Sequence, residues 1–204
     1  MERKCSILAG SELFPYPAGL GRLLLKLPLA LYRLGFGDVV NAAHIMVLVT
    51  RGRKSGEPRY TPIEYRRHGS KSYVISAWGE RPQWYQNLMA EPTVTLQQGR
   101  HIFSAHASRV TNSGEALRVL HLFRRRAPAV YDALLARASD GTPINPRTLP
   151  DLTHQLTIVR LDPKPNASDL PELPIDFGWV VPLSLIVGLG VTLVLTLVRP
   201  REKP

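Results

Sequence analysis

Ile45-Met46-Val47-Leu48-Val49-Thr50-Arg51, then Gly52-Arg53-Lys54-Ser55-Gly56-Glu57-Pro58, then Arg59 to Arg67, is the stretch that decides the fold. The first seven residues are a β-branched, apolar run of strand length, and the next seven are rich in turn formers. A second strand is expected over Arg59 to Arg67, after which His68-Gly69-Ser70 turns the chain into a third, Lys71 to Ala77. Two hairpins in succession predict a meander.

Working outward, Gln83 to Ala90 reads as a short helix stopped at Glu91-Pro92, because a residue before proline is pushed out of the helical region. Thr93 to Gln98 and Arg100 to Val110 make a further hairpin around Gly99. Thr111-Asn112-Ser113-Gly114-Glu115 supplies cap-type residues for a helix running to about Arg126, and Pro128 to Ala138 forms another. Gln155 to Asp162 is the final strand. About six strands in antiparallel hairpins, with a helix inserted after the third, predict a mainly β domain that closes into a barrel to remove its edges.

The chain carries 26 Lys and Arg against 16 Asp and Glu, a net charge of +10, with a pI near 10.2. Such a balance favours anionic partners: an acidic membrane surface, a phosphate-bearing cofactor or nucleic acid. Nucleic acid ranks last, because the cations do not form a groove interleaved with aromatics. The single cysteine, Cys5, excludes an internal disulfide. None of the six histidines has metal-ligand spacing, so no metal site is expected.

Gly178 to Val198 is an uncharged apolar stretch of about 21 residues, enough for one helix to cross a bilayer. Trp179 stands where an interfacial aromatic belongs, and Arg199, Arg201 and Lys203 close the other end. Upstream, Leu20 to Leu34 is leucine-dense but holds Arg22, Lys26, Pro28 and Arg33. It suits a helix lying at the headgroup boundary, with a helix packed on the domain as the equal alternative. The organisation expected is a helical, amphipathic segment over 1–41, a barrel domain over 42–162, a linker over 163–177, a transmembrane helix over 178–198 and a basic tail over 199–204.

The Gly52 to Arg59 loop gathers three cations, a hydroxyl and two glycines, a composition that suits a phosphate or carboxylate. A solvated basic hairpin tip has the same composition. Three neighbouring stretches strengthen the first reading: Tyr60-Thr61-Pro62, the strand end Ser76-Ala77-Trp78-Gly79, and the helix start Trp84-Tyr85-Gln86-Asn87-Leu88. If these converge, they outline a shelf for a planar ring with a cationic exit for an anionic tail.

Val49 to Pro62, Trp84 to Leu88 and Glu91-Pro92-Thr93-Val94, in that order, resemble the deazaflavin-dependent nitroreductase family, whose members reduce quinones and nitro compounds with reduced coenzyme F420. The resemblance spans roughly Leu31 to Leu161. It implies a split β-barrel of the FMN-binding type. It also implies that Arg53, Lys54, Ser55 and Arg59 grip the coenzyme's anionic tail. Tyr60, Thr61 and Pro62 would lie beside the ring, Ile75, Ser76, Ala77 and Trp78 under it, and Gln83, Trp84, Tyr85 and Asn87 would close the pocket. Three features depart from the family pattern: Ala77-Trp78 stands where a Ser-Lys pair is usual, Glu64 replaces an aromatic residue, and only Tyr131 stands for the late tyrosines. The proton source is open among Tyr85, Tyr131 and water. FMN or haem in the same barrel, and a non-catalytic membrane-tethered binding module, are the rival expectations. The charges flanking the span favour a cytoplasmic C-terminus, whereas the coenzyme requires a cytoplasmic domain; the expectation follows the coenzyme.

Overall fold

The computed structural model describes residues 19–138, 157–165 and 170–176. Three short helices lead in: α1 (Gly19–Leu24), α2 (Leu27–Arg33) and α3 (Gly37–Ala42). The continuous N-terminal helix is broken at Leu25–Lys26, and Pro28 falls in the first turn of α2, where its missing N–H costs nothing. Strands β1 (Ile45–Arg51), β2 (Pro58–Glu64), β3 (Arg66–His68) and β4 (Lys71–Ser76) follow, then α4 (Gln83–Ala90). Next come β5 (Thr93–Gln98), β6 (His101–Arg109), α5 (Ser113–Arg126), α6 (Pro128–Ala138) and β7 (Thr157–Lys164).

All strand pairs are antiparallel, in the order β2-β1-β5-β6-β7-β4-β3. The expected meander is therefore absent. The β1–β2 and β3–β4 hairpins sit at opposite ends of one sheet, because β4 takes β7 as its second neighbour, with Ser76 opposite Thr157. The second strand is also broken, by Tyr65, into β2 and β3. These two occupy the opposite edges of the sheet yet are separated by one residue, so the sheet must curl to bring its edges together at Tyr65. The sheet is thus a curled half-barrel whose two edges are tied through Tyr65, and among the described residues no ladder pairs them. Tyr65 fixes the corner: its N–H donates to His44 O (2.9 Å) and its hydroxyl to Asn41 Oδ1 (2.7 Å).

Alternation sorts the strand residues between the interior and two outer layers. Met46, Leu48, Val74, Leu96, Val159 and Leu161 fill the barrel, plugged by Tyr85 and Leu88 of α4. On the outer face of β1, Val47 and Val49 pack under Tyr32 of α2 and Val40 of α3. Across the barrel, Tyr73 and Ile158 lie beneath Phe123 of α5 and Tyr131 and Leu135 of α6. Tyr32 pins α2 to the sheet, its hydroxyl 3.1 Å from Ile45 O and accepting from the N–H of Gly99 (3.0 Å). Gly99 has φ +61°, and a Cβ there would stand 2.3 Å from Asp38 Oδ1, so this turn requires glycine.

Towards the C-terminus, β7 runs on to Lys164, and Leu170 and Leu173 are buried against β1 and α2, so residues 170–176 pack on the barrel. The hydroxyl of Thr95 donates to Leu170 O, and the N–H of Leu173 donates to Gln97 Oε1. The apolar stretch 178–198 lies outside the described residues. Among those described, no helix is long and apolar enough to cross a membrane.

Candidate functional site

The loop between β1 and β2 is built by its own backbone. The N–H of Gly52 donates to Glu57 O (2.8 Å) and that of Gly56 to Gly52 O (2.7 Å), with Gly56 at φ +70°. A Cβ on Gly52 would lie 2.7 Å from Ser55 Oγ and 3.2 Å from Glu57 O, so glycine is what lets the loop fold this tightly. The guanidinium of Arg59 donates to Ser55 Oγ (3.2 Å) and stays exposed.

Helix α4 clamps this loop through one buried side chain. Asn87 Oδ1 accepts from both the backbone N–H and the guanidinium of Arg53, each at 3.2 Å, while Asn87 Nδ2 donates to Thr50 Oγ1 (3.4 Å). Gln83 Oε1 receives a further bond from Arg53 (2.8 Å). Arg53 is thus held by neutral amides, and its charge is left available. The segment 79–82 is held in turn by Gln86, whose amide donates to Arg81 O (3.0 Å).

Loop, β2 edge and α4 enclose a cleft of about 540 Å³ lined by Lys26, Leu29, Gly52, Arg53, Lys54, Ser55, Pro58, Arg59, Tyr60, Thr61, Gln83, Trp84 and Asn87. Four of these are cations and none is a carboxylate. Among the described residues, no Asp or Glu forms an ion pair with Lys26, Arg53, Lys54 or Arg59. Trp84 and Tyr60 give the walls flat faces, and Trp84 is steadied edge-on by Tyr85 (5.9 Å, 87°). The cleft can therefore hold an anion at its loop end and a planar group beside β2.

Of the residues the sequence nominated, Arg53, Lys54, Ser55, Arg59, Tyr60, Thr61, Gln83, Trp84 and Asn87 line this cleft. Pro62, Ile75, Ser76, Ala77, Trp78 and Tyr85 do not. Pro62 sits on the edge strand opposite Val47, where its missing N–H breaks no ladder bond. Ile75 and Ala77 face outward under α5, because alternation along β4 sends Val74 into the barrel and its neighbour Ile75 to the outer face. Ser76 points inward and is buried, its Oγ without a hydrogen-bond partner. Tyr85 turns into the barrel, and burial pushes its pKa up from the ordinary value.

The other proton-donor candidate is also engaged elsewhere. The Tyr131 hydroxyl donates to Glu64 Oε2 (3.0 Å), and burial, then the Glu64 charge, hold it protonated well above the usual phenol range. Glu64 in turn pairs with Arg66, whose guanidinium stacks on Phe123 (5.1 Å). Glu64 and Tyr131 therefore join α6 to the barrel. Sequence reasoning missed Lys26 and Leu29, which reach the cleft from the leucine-rich segment; only the cation at Lys26 hinted at it. Among the described residues no cluster of His, Cys, Asp and Glu could hold a metal.

A family model described as F420H(2)-dependent quinone reductase matches residues 31–145. Two F420H(2)-dependent quinone reductases of Mycobacterium tuberculosis, from strains H37Rv and CDC 1551, are 33% identical over 97 residues, which is 44% of this chain and 65% of theirs. The chain thus spans just under two thirds of the length of the curated relatives it matches. A solved F420-H2 dependent reductase, FDR-A, is 21% identical and covers 58% of this chain and 94% of its own, with a TM-score of 0.43. The haem storage protein HutZ from Vibrio cholerae is 15% identical and covers 70% of this chain and 92% of its own, with a TM-score of 0.44.

Proposed function

This chain belongs to the F420H(2)-dependent quinone reductase family, and we propose that it is an oxidoreductase that takes hydride from reduced coenzyme F420 and passes it to a quinone or nitro-type acceptor at a membrane. The observation that carries this reading is the cleft with four cations and no carboxylate, locked onto α4 through Asn87. Its charge suits an anionic tail with phosphate and carboxylate groups, and its volume of about 540 Å³ suits a small-molecule site.

The reduced deazaflavin supplies hydride from a ring carbon when it is bound. The protein's part is to bind and orient. Arg53, Lys54 and Arg59, with the Ser55 hydroxyl, neutralise the tail; Gln83 and Asn87 aim the Arg53 guanidinium. Tyr60, Thr61 and Trp84 would flank the ring and hold its plane. Neither Tyr85 nor Tyr131 lines the cleft, so solvent water delivers the proton that the reduced acceptor needs. The barrel is of the split type, with β2 as the free edge beside the cleft.

The apolar run Gly178 to Val198 supports a membrane location, with one span and the barrel on the cytoplasmic side, where the coenzyme is found. A quinone dissolved in the bilayer is then met at high effective concentration. The test is a titration of the detergent-purified full chain with oxidised coenzyme F420 and, separately, with FMN and haem. Saturable binding of the deazaflavin with neither rival competing supports the proposal. Preference for FMN or haem refutes it, and tight deazaflavin binding without any turnover makes the protein a binding module.

A further inference from the structure

The leucines between Leu20 and Leu34 stay largely outside the core. Leu20, Leu23 and Leu24 on α1, Leu25 after it and Leu27 at the start of α2 are between 49% and 72% exposed. Eight of the twelve exposed large hydrophobic side chains among the described residues fall between Leu20 and Val39. Singly exposed leucines are ordinary on a protein surface, but a run of this density marks a contact surface.

Three observations identify what it contacts. Arg22, Lys26 and Arg33 are interleaved with the leucines in sequence, and no carboxylate occurs from Leu13 to Gly37. Cations among apolar side chains match an anionic headgroup layer over hydrocarbon. Next, the N–H of Asp176 donates to Arg33 O (2.7 Å), so the chain returns to the end of α2 two residues before the apolar run that starts at Gly178. The leucine run and the residues just ahead of the second apolar run are thus tied to each other through Arg33 and Asp176. Lastly, Lys26 and Leu29, within and next to the leucine run, line the cleft.

The geometry points to α1 and α2 as a docking face for an anionic lipid bilayer, laid down so that the cleft opens beside the lipid. This deepens the membrane part of the proposed function and rests on it for the acceptor's route. The docking itself is read without turnover, so the two fail separately.

The experiment uses the full chain with Cys5 replaced by serine, a single cysteine placed at Leu23 or, as control, at His121 on α5, and an environment-sensitive fluorophore on each. His121 is exposed and lies on the helical layer across the barrel. The proteins are reconstituted into vesicles of phosphatidylglycerol and phosphatidylcholine containing lipid with a nitroxide high on the acyl chain. At Leu23 the label should be quenched at least twofold more than at His121, and less so in pure phosphatidylcholine. Equal quenching at the two positions overturns the inference, whether the face is then covered by a second copy or left in water. A second variant, Leu23→Glu with Leu24→Glu, should lose about tenfold in turnover with a long-chain quinone in the vesicles. With a water-soluble quinone its turnover should be unchanged. Equal loss with both acceptors overturns the route from the lipid.

Discussion

Asn87 concentrates the site's logic in one residue. Its amide accepts twice from Arg53 and donates to Thr50, so it sets both the loop's position and the direction of the guanidinium. Replacing Asn87 by Ala removes these bonds and leaves the buried Thr50 hydroxyl without this partner. Each neutral bond is worth about 1 kcal/mol and a stranded group about 1–3 kcal/mol, so coenzyme affinity should fall about tenfold to a hundredfold, read by titration. Asn87→Asp keeps an acceptor but adds a negative charge to a cleft that has none, and should weaken binding of the anion while the melting temperature changes little. Tyr73 gives a pH prediction. Burial and its bond to Glu115 Oε1 (2.9 Å) push the Tyr73 hydroxyl from 10 up to about 12. The folded state therefore holds this proton where the unfolded chain has released it, so the stability gained is complete below pH 10 and is lost as pH rises from 10 to about 12. Denaturation midpoints over that range should fall more steeply for the native protein than for Tyr73→Phe. Arg53, Lys54, Ser55 and Arg59 were legible in the sequence less from the loop's composition, which a solvated hairpin tip shares, than from the stretches beside it and the family resemblance. Tyr85 was misread because neighbours on a helix point about 100° apart: Trp84 faces the cleft and Tyr85 the barrel.

At the scale of elements, local patterns were legible and pairing was not. β1, α4 and α6 have the bounds that periodicity and proline placement predict. The neighbour of β4, however, is β7, far along the chain, and nothing in Lys71 to Ser76 points to it. The break at Tyr65 was hidden for a related reason, since an aromatic residue suits a strand and only tertiary bonds to His44 and Asn41 reveal the corner. Ile75 and Ala77 were expected under the ring from the family resemblance, and alternation along β4 turns them outward beneath α5. The cap of α5 was readable: Asn112 Oδ1 accepts from the N–H of Glu115 (2.9 Å). Asn112→Ala should lower stability by about 1 kcal/mol, typical of a lost N-cap. Because α5 packs on the face opposite the cleft, coenzyme affinity should be unchanged, which separates a stability effect from a binding effect in the same pair of measurements.

For the whole molecule, the barrel is a consequence of sequence order. Edge strands joined through a single residue force the sheet to curl, and the cleft forms where the free edge of β2 meets α4 and the N-terminal helices. Part of the net charge of +10 is gathered locally, in four cations that line the cleft with no carboxylate among them. Their attraction for an anion is exposed to solvent and therefore screened, so raising the ionic strength from about 0.01 M to 0.15 M, which shortens the Debye length from about 30 Å to 8 Å, should weaken coenzyme binding several-fold. The leucine surface on α1 and α2 is the counterpart of this charge. A leucine wholly in water forgoes about 1.5–3 kcal/mol of burial, and these, 49% to 72% exposed, forgo the corresponding part of it, a loss that docking on lipid would recover. Hydride transfer itself is read most directly from the absorbance of reduced coenzyme F420 mixed with the full chain in anionic vesicles and a menaquinone analogue. The coenzyme should be reoxidised at a rate proportional to protein, and this activity should be lost in a variant with Arg53, Lys54 and Arg59 all replaced by Ala. No reoxidation with any quinone or nitroarene, or the same rate in the triple variant, would contradict the assignment of the cleft.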